Sequence, residues 1–350
     1  MASIANSRIL FNSIPTVTHV LPLPGYPELG QTIVHNTSEQ INVETVPLNG
    51  GILLKIIVLS PDPFQRNLMI PPSDEMFMPV YAIGEPIVGL AVAVVLRSEN
   101  DAVNPGDHLH GFLPWKSYVV LPSAEGLSIL DNKYGLPWTS YVGVLGLAGH
   151  TAWMAWKEYA NPRAGQTAFV TAAAGPVGSF VIQLAKRAGM KVIASAGSED
   201  KVAWAKGVGA DVAFNYKTKS TQGVLKKEGP IDLYWDNVGG ESLDAALEAA
   251  SVGATFIECG MASGYNTGHA PIKNLIKVIE KAITMNGLTV TLLYEKYLDE
   301  FYATVPKLVA DGGIKHREEI YRGMDSVDEA LLKTVRGAVK GKAVVIIAEQ

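Results

Sequence analysis

Residues 167–178 read TAFVTAAAGPVG, and this short stretch decides the fold. An apolar, β-favouring run leads into Ala172-x-x-Gly175-x-x-Gly178, after which Val177, Val181, Ile182, Leu184, Ala185 and Ala188 recur at helical spacing. Strand, turn and helix therefore follow one another without a gap. Gly175 accepts the backbone angles of a tight turn and lets a pyrophosphate approach the main chain, while Gly178 allows the helix to pack close to the strand. The helix start offers unpaired N–H groups and a partial positive charge to phosphate. Pro176 gives up only a donor that has no partner within the helix. A glycine triplet alone is weak evidence; here the strand before it and the helix after it supply the required context.

The residues downstream repeat the same alternation. Lys191–Ser195 (KVIAS), a helical segment to Gly207, Asp211–Phe214, Ile231–Trp235 (IDLYW), the helical Glu241–Ala250 and Thr255–Cys259 (TFIEC) follow in order. Short apolar strands alternating with helices predict a doubly wound parallel sheet with its ligand at the carboxyl ends of the strands.

Residues 1–134 have a different texture, with β-rich runs separated by proline and glycine. Ile52–Leu59 (ILLKIIVL), Val88–Leu96 (VGLAVAVVL) and Trp115–Leu121 (WKSYVVL) read as strands, and Asn104-Pro105-Gly106-Asp107 as a turn. This part is expected to be a compact β-barrel. The tail from Gly341 (GKAVVIIA) reads as a strand with no helix after it and is placed with the first domain. The expected division is a substrate domain of residues 1–134 and 310–350 and a nucleotide-binding domain of residues 135–309, with a cleft between them.

The chain has 350 residues, 48% of them hydrophobic and 18% charged, and a net charge of -5. That length suggests about two domains. With no basic block, neither nucleic acid nor an anionic membrane is an expected partner, which leaves a small molecule. Cys259 is the only cysteine, which excludes an intramolecular disulfide and fits a reducing, cytoplasmic location. No apolar run is long enough to span a bilayer as a helix.

Taken together, Ser60–Arg66 (SPDPFQR), Gly146–Trp153 (GLAGHTAW), the glycine loop, Ala196–Val202 (AGSEDKV), Phe214–Lys217 (FNYK), Asp236–Gly240 (DNVGG) and Gly260–Asn266 (GMASGYN) make the chain resemble a known family. It is similar to the zinc-independent medium-chain dehydrogenase/reductases, in the branch of prostaglandin and leukotriene B4 reductases, curcumin reductases and alkenal double-bond reductases. The resemblance implies a GroES-like first domain and a Rossmann second domain. Zinc-dependent members use two sets of cysteine ligands, which a chain with one cysteine cannot build. His108 and His110, alternate residues of the strand-like DHLHG segment, are the nearest approach to a metal pair, and a pair without metal is the preferred reading.

NAD-specific sheets of this type carry an acid about 20 residues beyond the glycine loop, at the end of the second strand. Here that strand end is Ala196-Gly197-Ser198. Without an acid to repel it, a 2′-phosphate has room, so NADPH is the expected cofactor. The resemblance implies that Ser198, Lys201 and Tyr216 lie at that phosphate. Two other readings stay open: Lys201 as an ordinary solvated lysine of a first helical turn, and Glu199 or Asp200 as the missing acid. Further cofactor contacts implied by the resemblance are Ala173, Gly175, Pro176, Val177 and Gly178 in the loop, and Asn237, Val238, Cys259 and Gly260 at strand ends. The family's asparagine shortly before the final Gly-Lys has no counterpart in Val339-Lys340-Gly341-Lys342.

The resemblance implies NADPH-dependent reduction of the carbon–carbon double bond of α,β-unsaturated ketones or aldehydes, with quinone reduction and a catalytically silent nucleotide-binding protein as alternatives. Hydride addition at the β carbon leaves an enolate whose oxygen needs a hydrogen-bond donor. Tyr265 matches the family tyrosine beside the nicotinamide ribose and is the catalytic candidate; its other reading is a tyrosine closing a loop against the core. Phe64 stands where the family has a second tyrosine and cannot donate a hydrogen bond. Phe64, Tyr81 and Tyr294 are the expected pocket residues. Gly287–Tyr294 (GLTVTLLY) is expected as an edge strand that pairs with its twin in a homodimer.

Overall fold

A computed structural model describes residues 3–15, 25–72 and 79–349. The chain divides into two compact units, one of Met1–Gly146, Glu318–Val339 and Ala343–Gln350, the other of Leu147–Arg317 and Lys340–Lys342.

The first unit is organised around Ile52–Leu59, whose eight residues are buried except for the half-buried Lys55. A strand buried on both faces reads as a nearly continuous apolar run, as ILLKIIVL does. It pairs antiparallel with Val88–Ser98, with Tyr118–Leu121 and with Lys342–Ile346. Register shifts between Leu53 and Leu54 and between Ile56 and Val58 let one strand serve several partners. His108–Pro114 extends the seven-stranded sheet on one side, and Glu318–Arg322 on the other. The helix Val327–Val335 lays Val327, Ala330 and Leu331 into the core beside Ile9, Phe11, Ile56 and Trp115. Spacing of three and four residues puts those three on one helical face. The expected tail strand is therefore real, and it belongs to the first unit.

The second unit contains six parallel strands: β1 (Thr167–Val170), β2 (Lys191–Ala196), β3 (Val212–Asn215), β4 (Ile231–Asp236), β5 (Ala250–Glu258) and β6 (Thr284–Gly287). Their order in the sheet is β3-β2-β1-β4-β5-β6, which makes it a doubly wound parallel sheet, as the alternation predicts. Strand order reverses between β1 and β4, and ligands of such sheets bind where the carboxyl ends diverge at that point. The helix Pro176–Arg187 buries Phe180, Val181, Ile182, Leu184 and Ala185, and ends on Lys186 and Arg187, whose charges suit its carboxyl end.

One expectation fails here. Gly287–Tyr294 is not a strand: β6 ends at Gly287, residues 290–293 form a 3-10 turn, and Tyr294 opens the helix Tyr294–Ala310. Gly287 is registered with Glu258, the last residue of β5. Beyond the Leu288 N–H, which still reaches the Glu258 carbonyl at 3.1 Å, none of the described strands pairs with the chain. Local bonds such as Leu292 N–H to the Thr289 carbonyl, at 3.1 Å, take over. No helix of the described residues is long and apolar enough to cross a membrane.

Candidate cofactor and active site

At the end of β1 the chain turns through Ala172, a non-glycine residue with φ of +46°. Such a conformation costs an alanine roughly 1–2 kcal/mol. The Ala172 carbonyl accepts the Gly175 N–H at 2.9 Å, and the Ala173 N–H reaches the Ser195 carbonyl of β2 at 3.0 Å. Gly175 is the extended N-cap of the helix, with Pro176 in its first turn. A Cβ on Gly178 would lie 2.6 Å from the Ala172 carbonyl oxygen and 2.9 Å from Ala173 Cα. Helix and turn thus approach so closely that only glycine fits. Ala173, Gly175, Pro176, Val177 and Gly178 form one corner, with the first N–H groups of the helix at its mouth. This is the shape that a pyrophosphate requires, so the residues fit a dinucleotide.

The residues expected at the adenosine end lie at the close of β2. Ser198 caps the helix Glu199–Gly207, its hydroxyl accepting the Lys201 N–H at 3.4 Å. Tyr216 follows β3, with its N–H on the Ala196 carbonyl at 3.1 Å. Its ring covers Gly197, where a Cβ would lie 3.1 Å from the phenol oxygen. Tyr216 is 49% exposed, enough for its hydroxyl to meet a ligand. Ser198, Lys201 and Tyr216 are therefore brought together. Glu199 instead accepts the Asn215 side-chain amide at 3.1 Å.

The opposite end is built where β4 and β5 stop. Asp236, fully buried, accepts the N–H groups of Val238 and Gly239 through Oδ1, each at 2.8 Å. The Asn237 N–H reaches the Thr171 hydroxyl at 2.8 Å, and its side-chain amide reaches the Thr171 carbonyl at 2.7 Å. Cys259 and Gly260 donate to the Asp236 carbonyl at 2.9 and 3.0 Å. Ser263 is tied to the Val238 carbonyl by its N–H at 3.0 Å and its hydroxyl at 2.6 Å. These bonds lock two loops together and deliver Tyr265, whose hydroxyl lies 2.9 Å from where a Cβ of Gly260 would be. Asn237, Val238, Cys259, Gly260 and Tyr265 thus form a second cluster in the same unit.

Behind that cluster sits a pair that the sequence reading missed. Glu258 is registered with Asp236 across the sheet, and both of its carboxyl oxygens are buried, as are Asp236 Oδ2 and the Tyr234 hydroxyl. Two neighbouring buried carboxyls disfavour each other's charged form, and a proton on one turns it into a donor. Burial foremost, and then the Asp236 charge, push the Glu258 carboxyl up to about 8. Burial raises Asp236 too, against the two backbone N–H groups that favour its charged form. The Cys259 thiol is pushed up to about 12, chiefly by burial, which makes it a poor nucleophile. The available signal was a lone acid inside the apolar run TFIEC, but its partner is a residue 22 positions away in sequence.

The remaining candidates are in part elsewhere. Phe64 lies in the 3-10 turn Pro63–Leu68 of the first unit, edge-on to Phe112 at 6.2 Å. Tyr81 is 8% exposed in that unit's core, its hydroxyl donating to the Val88 carbonyl at 2.8 Å and accepting from Gln65 at 3.1 Å. Tyr294 belongs to the second unit and meets His150 Nδ1 at 3.2 Å, while His150 Nε2 meets the Tyr302 hydroxyl at 3.2 Å. His108 stacks on Trp138 at 4.0 Å, and burial pushes the His110 imidazole down to about 4. Among the described residues no group of three or more His, Cys, Asp or Glu side chains is placed to hold a metal ion.

Both parts of the chain are similar to known proteins. Residues 176–308 match the family described as zinc-binding dehydrogenase, and residues 34–129 the N-terminal domain of oxidoreductase. The chain is 34% identical to a 2-alkenal reductase (NADP(+)-dependent) of Nicotiana tabacum, covering 93% of this chain and 95% of that one. It is 36% identical to (+)-pulegone reductase of Mentha piperita, covering 86% and 89%. The crystal structure of CurA from Vibrio vulnificus in complex with NADPH superposes with a TM-score of 0.87 at 28% identity, over 98% of this chain and all (100%) of that one. With a doubly wound sheet, a glycine corner that only a Cα can enter and relatives of this similarity along nearly their whole length, the chain belongs to the zinc-independent medium-chain dehydrogenase/reductases, in the branch of the alkenal double-bond reductases.

Proposed function

We infer that the protein reduces the carbon–carbon double bond of α,β-unsaturated ketones or aldehydes with NADPH. The reading is supported most directly by the Tyr265 phenol, held against Gly260 at the carboxyl end of β5 in the same unit as the glycine corner. When bound, the reduced nicotinamide supplies hydride to the β carbon.

The residues of the chain do the rest. Gly175, Val177 and Gly178 hold pyrophosphate through the helix start, with Ala173 and Pro176 shaping the turn. Ser198, Lys201 and Tyr216 bind the 2′-phosphate. Asn237, Val238, Cys259 and Gly260 present backbone to the nicotinamide end. Tyr265 donates a hydrogen bond to the oxygen on which enolate charge collects, and the α carbon then takes a proton, from the Tyr265 phenol or from solvent, to give the saturated product. Phe64, Tyr81 and Tyr294 are each proposed as substrate contacts, and Phe64, lacking a hydroxyl, contributes no proton.

A homodimer and a cytoplasmic location complete the proposal. The dimer is supported by β6, which among the described strands pairs only with β5, and by Leu275, Ile276 and Ile279, which are 56%, 54% and 79% exposed in the preceding segment. The location is supported by the single cysteine.

Following NADPH absorbance over a panel of enones, enals, quinones and saturated aldehydes, with product identification by mass and NMR, tests the activity. A saturated ketone or aldehyde is the expected product. Oxidation of NADPH by quinones alone, or by none of the panel, would sink the assignment.

A further inference from the structure

We propose that Arg317 and Lys340 are specificity determinants for the phosphorylated cofactor, and that they act by neutralising Asp200. The proposal rests on the NADPH reading and adds two residues to it. Asp200 stands beside Lys201 in the first turn after Ser198, so its charge lies near the proposed 2′-phosphate site and would oppose a phosphate there. Its Oδ2 lies 3.4 Å from the Arg317 guanidinium and 3.9 Å from the Lys340 ammonium. The two cations come from separate parts of the chain, and all three residues belong to the nucleotide-binding unit.

The cluster is built rather than accidental. The Arg317 guanidinium lies over the ring of Trp204, 4.8 Å from its centroid, on the helix that carries Asp200. The Arg317 carbonyl accepts the Lys342 N–H at 3.0 Å. Gly341, with φ of +101°, makes this crossing possible, because a Cβ there would strike the Arg317 carbonyl. Lys340 therefore reaches Asp200 from a fixed turn. An ion pair this exposed adds little to stability. Its effect is on the local field, since a dianionic phosphate binding beside an uncompensated carboxylate is repelled.

Calorimetric titration with NADP+ and NAD+ reads the effect without turnover. In Arg317→Met/Lys340→Met, which keeps the apolar stems, the NADP+ Kd should rise on the order of tenfold while that of NAD+ changes by less than about twofold. Adding Asp200→Asn should return the NADP+ Kd to within about threefold of the parent, which a merely structural role would not do. Should the double variant fail to fold, Lys340→Met alone, at a side chain 67% exposed, must move the ratio in the same direction. An unchanged ratio, a parallel loss of both cofactors, or no recovery with Asp200→Asn overturns the proposal while leaving the NADPH reading intact. Equal binding of NADP+ and NAD+ by the unmodified protein removes the NADPH reading itself.

Discussion

Tyr265 and Glu258 show how single residues at the ends of β4 and β5 divide the work. If the Tyr265 phenol stabilises the enolate, Tyr265→Phe should lower kcat on the order of 10²-fold with NADPH affinity within about threefold of the parent. Stopped-flow turnover and fluorescence titration measure the two, and unchanged turnover would remove the assigned role. Glu258 carries a pH signature instead. Its folded carboxyl is raised from 4.5 to about 8, so between those values the folded state holds a proton that the unfolded chain has released. The stability it contributes is present in full below the unfolded value and is lost as pH rises toward 8. Thermal melts should therefore fall in midpoint from pH 5 to pH 8, and Glu258→Gln, neutral throughout, should flatten that dependence. A slope unaltered by the substitution would mean that the two carboxyls share no proton. None of this pairing could be read from TFIEC, because β-sheet register, not sequence distance, sets Glu258 beside Asp236.

At the scale of elements, the glycine corner is the most constrained join in the nucleotide-binding unit. Gly178→Ala would press a methyl group into backbone atoms of Ala172 and Ala173 at 2.6 and 2.9 Å, which side-chain motion cannot relieve. The helix Pro176–Arg187 must then lift from β1, at a cost of roughly 1–3 kcal/mol. Denaturant unfolding should register that loss, and NADPH should bind at least about tenfold more weakly; an unaffected Kd would show that the corner is not the pyrophosphate site. This corner was fully legible, since strand, turn and helix each leave their own local pattern. The Gly287–Tyr294 segment was not. Its alternation suits a strand, but strands are fixed by their neighbours, and β5 ends level with Gly287.

For the whole molecule, the tail ties the last part of the chain to a strand near its beginning. Lys342–Ile346 lies between Ile52–Leu59 and Glu318–Arg322 in the sheet of the first unit. Truncation after Gly341 would strip Val345 from the core and unpair a buried strand edge. The truncated chain should be insoluble on expression; a soluble, cooperatively melting product would contradict that account. The proposed homodimer predicts a light-scattering mass of twice 37.4 kDa. Ile279→Lys, at an exposed position in the segment before β6, should shift that mass toward the monomer, and a monomeric parent would end the dimer proposal.

By itself the sequence determined the strand–turn–helix corner, the αβ alternation and the doubly wound parallel sheet it implies, the strand-rich first part with its returning tail, and the absence of an acid at the end of β2. All of these rest on short-range pattern, backbone freedom or residue chemistry. Only the tertiary structure decided that Asp236 faces Glu258, that Asp200 is met by Arg317 and Lys340, and that the chain after Gly287 turns instead of extending. Those outcomes depend on which backbone lies alongside which, and that is settled by the packing of segments far apart in the chain.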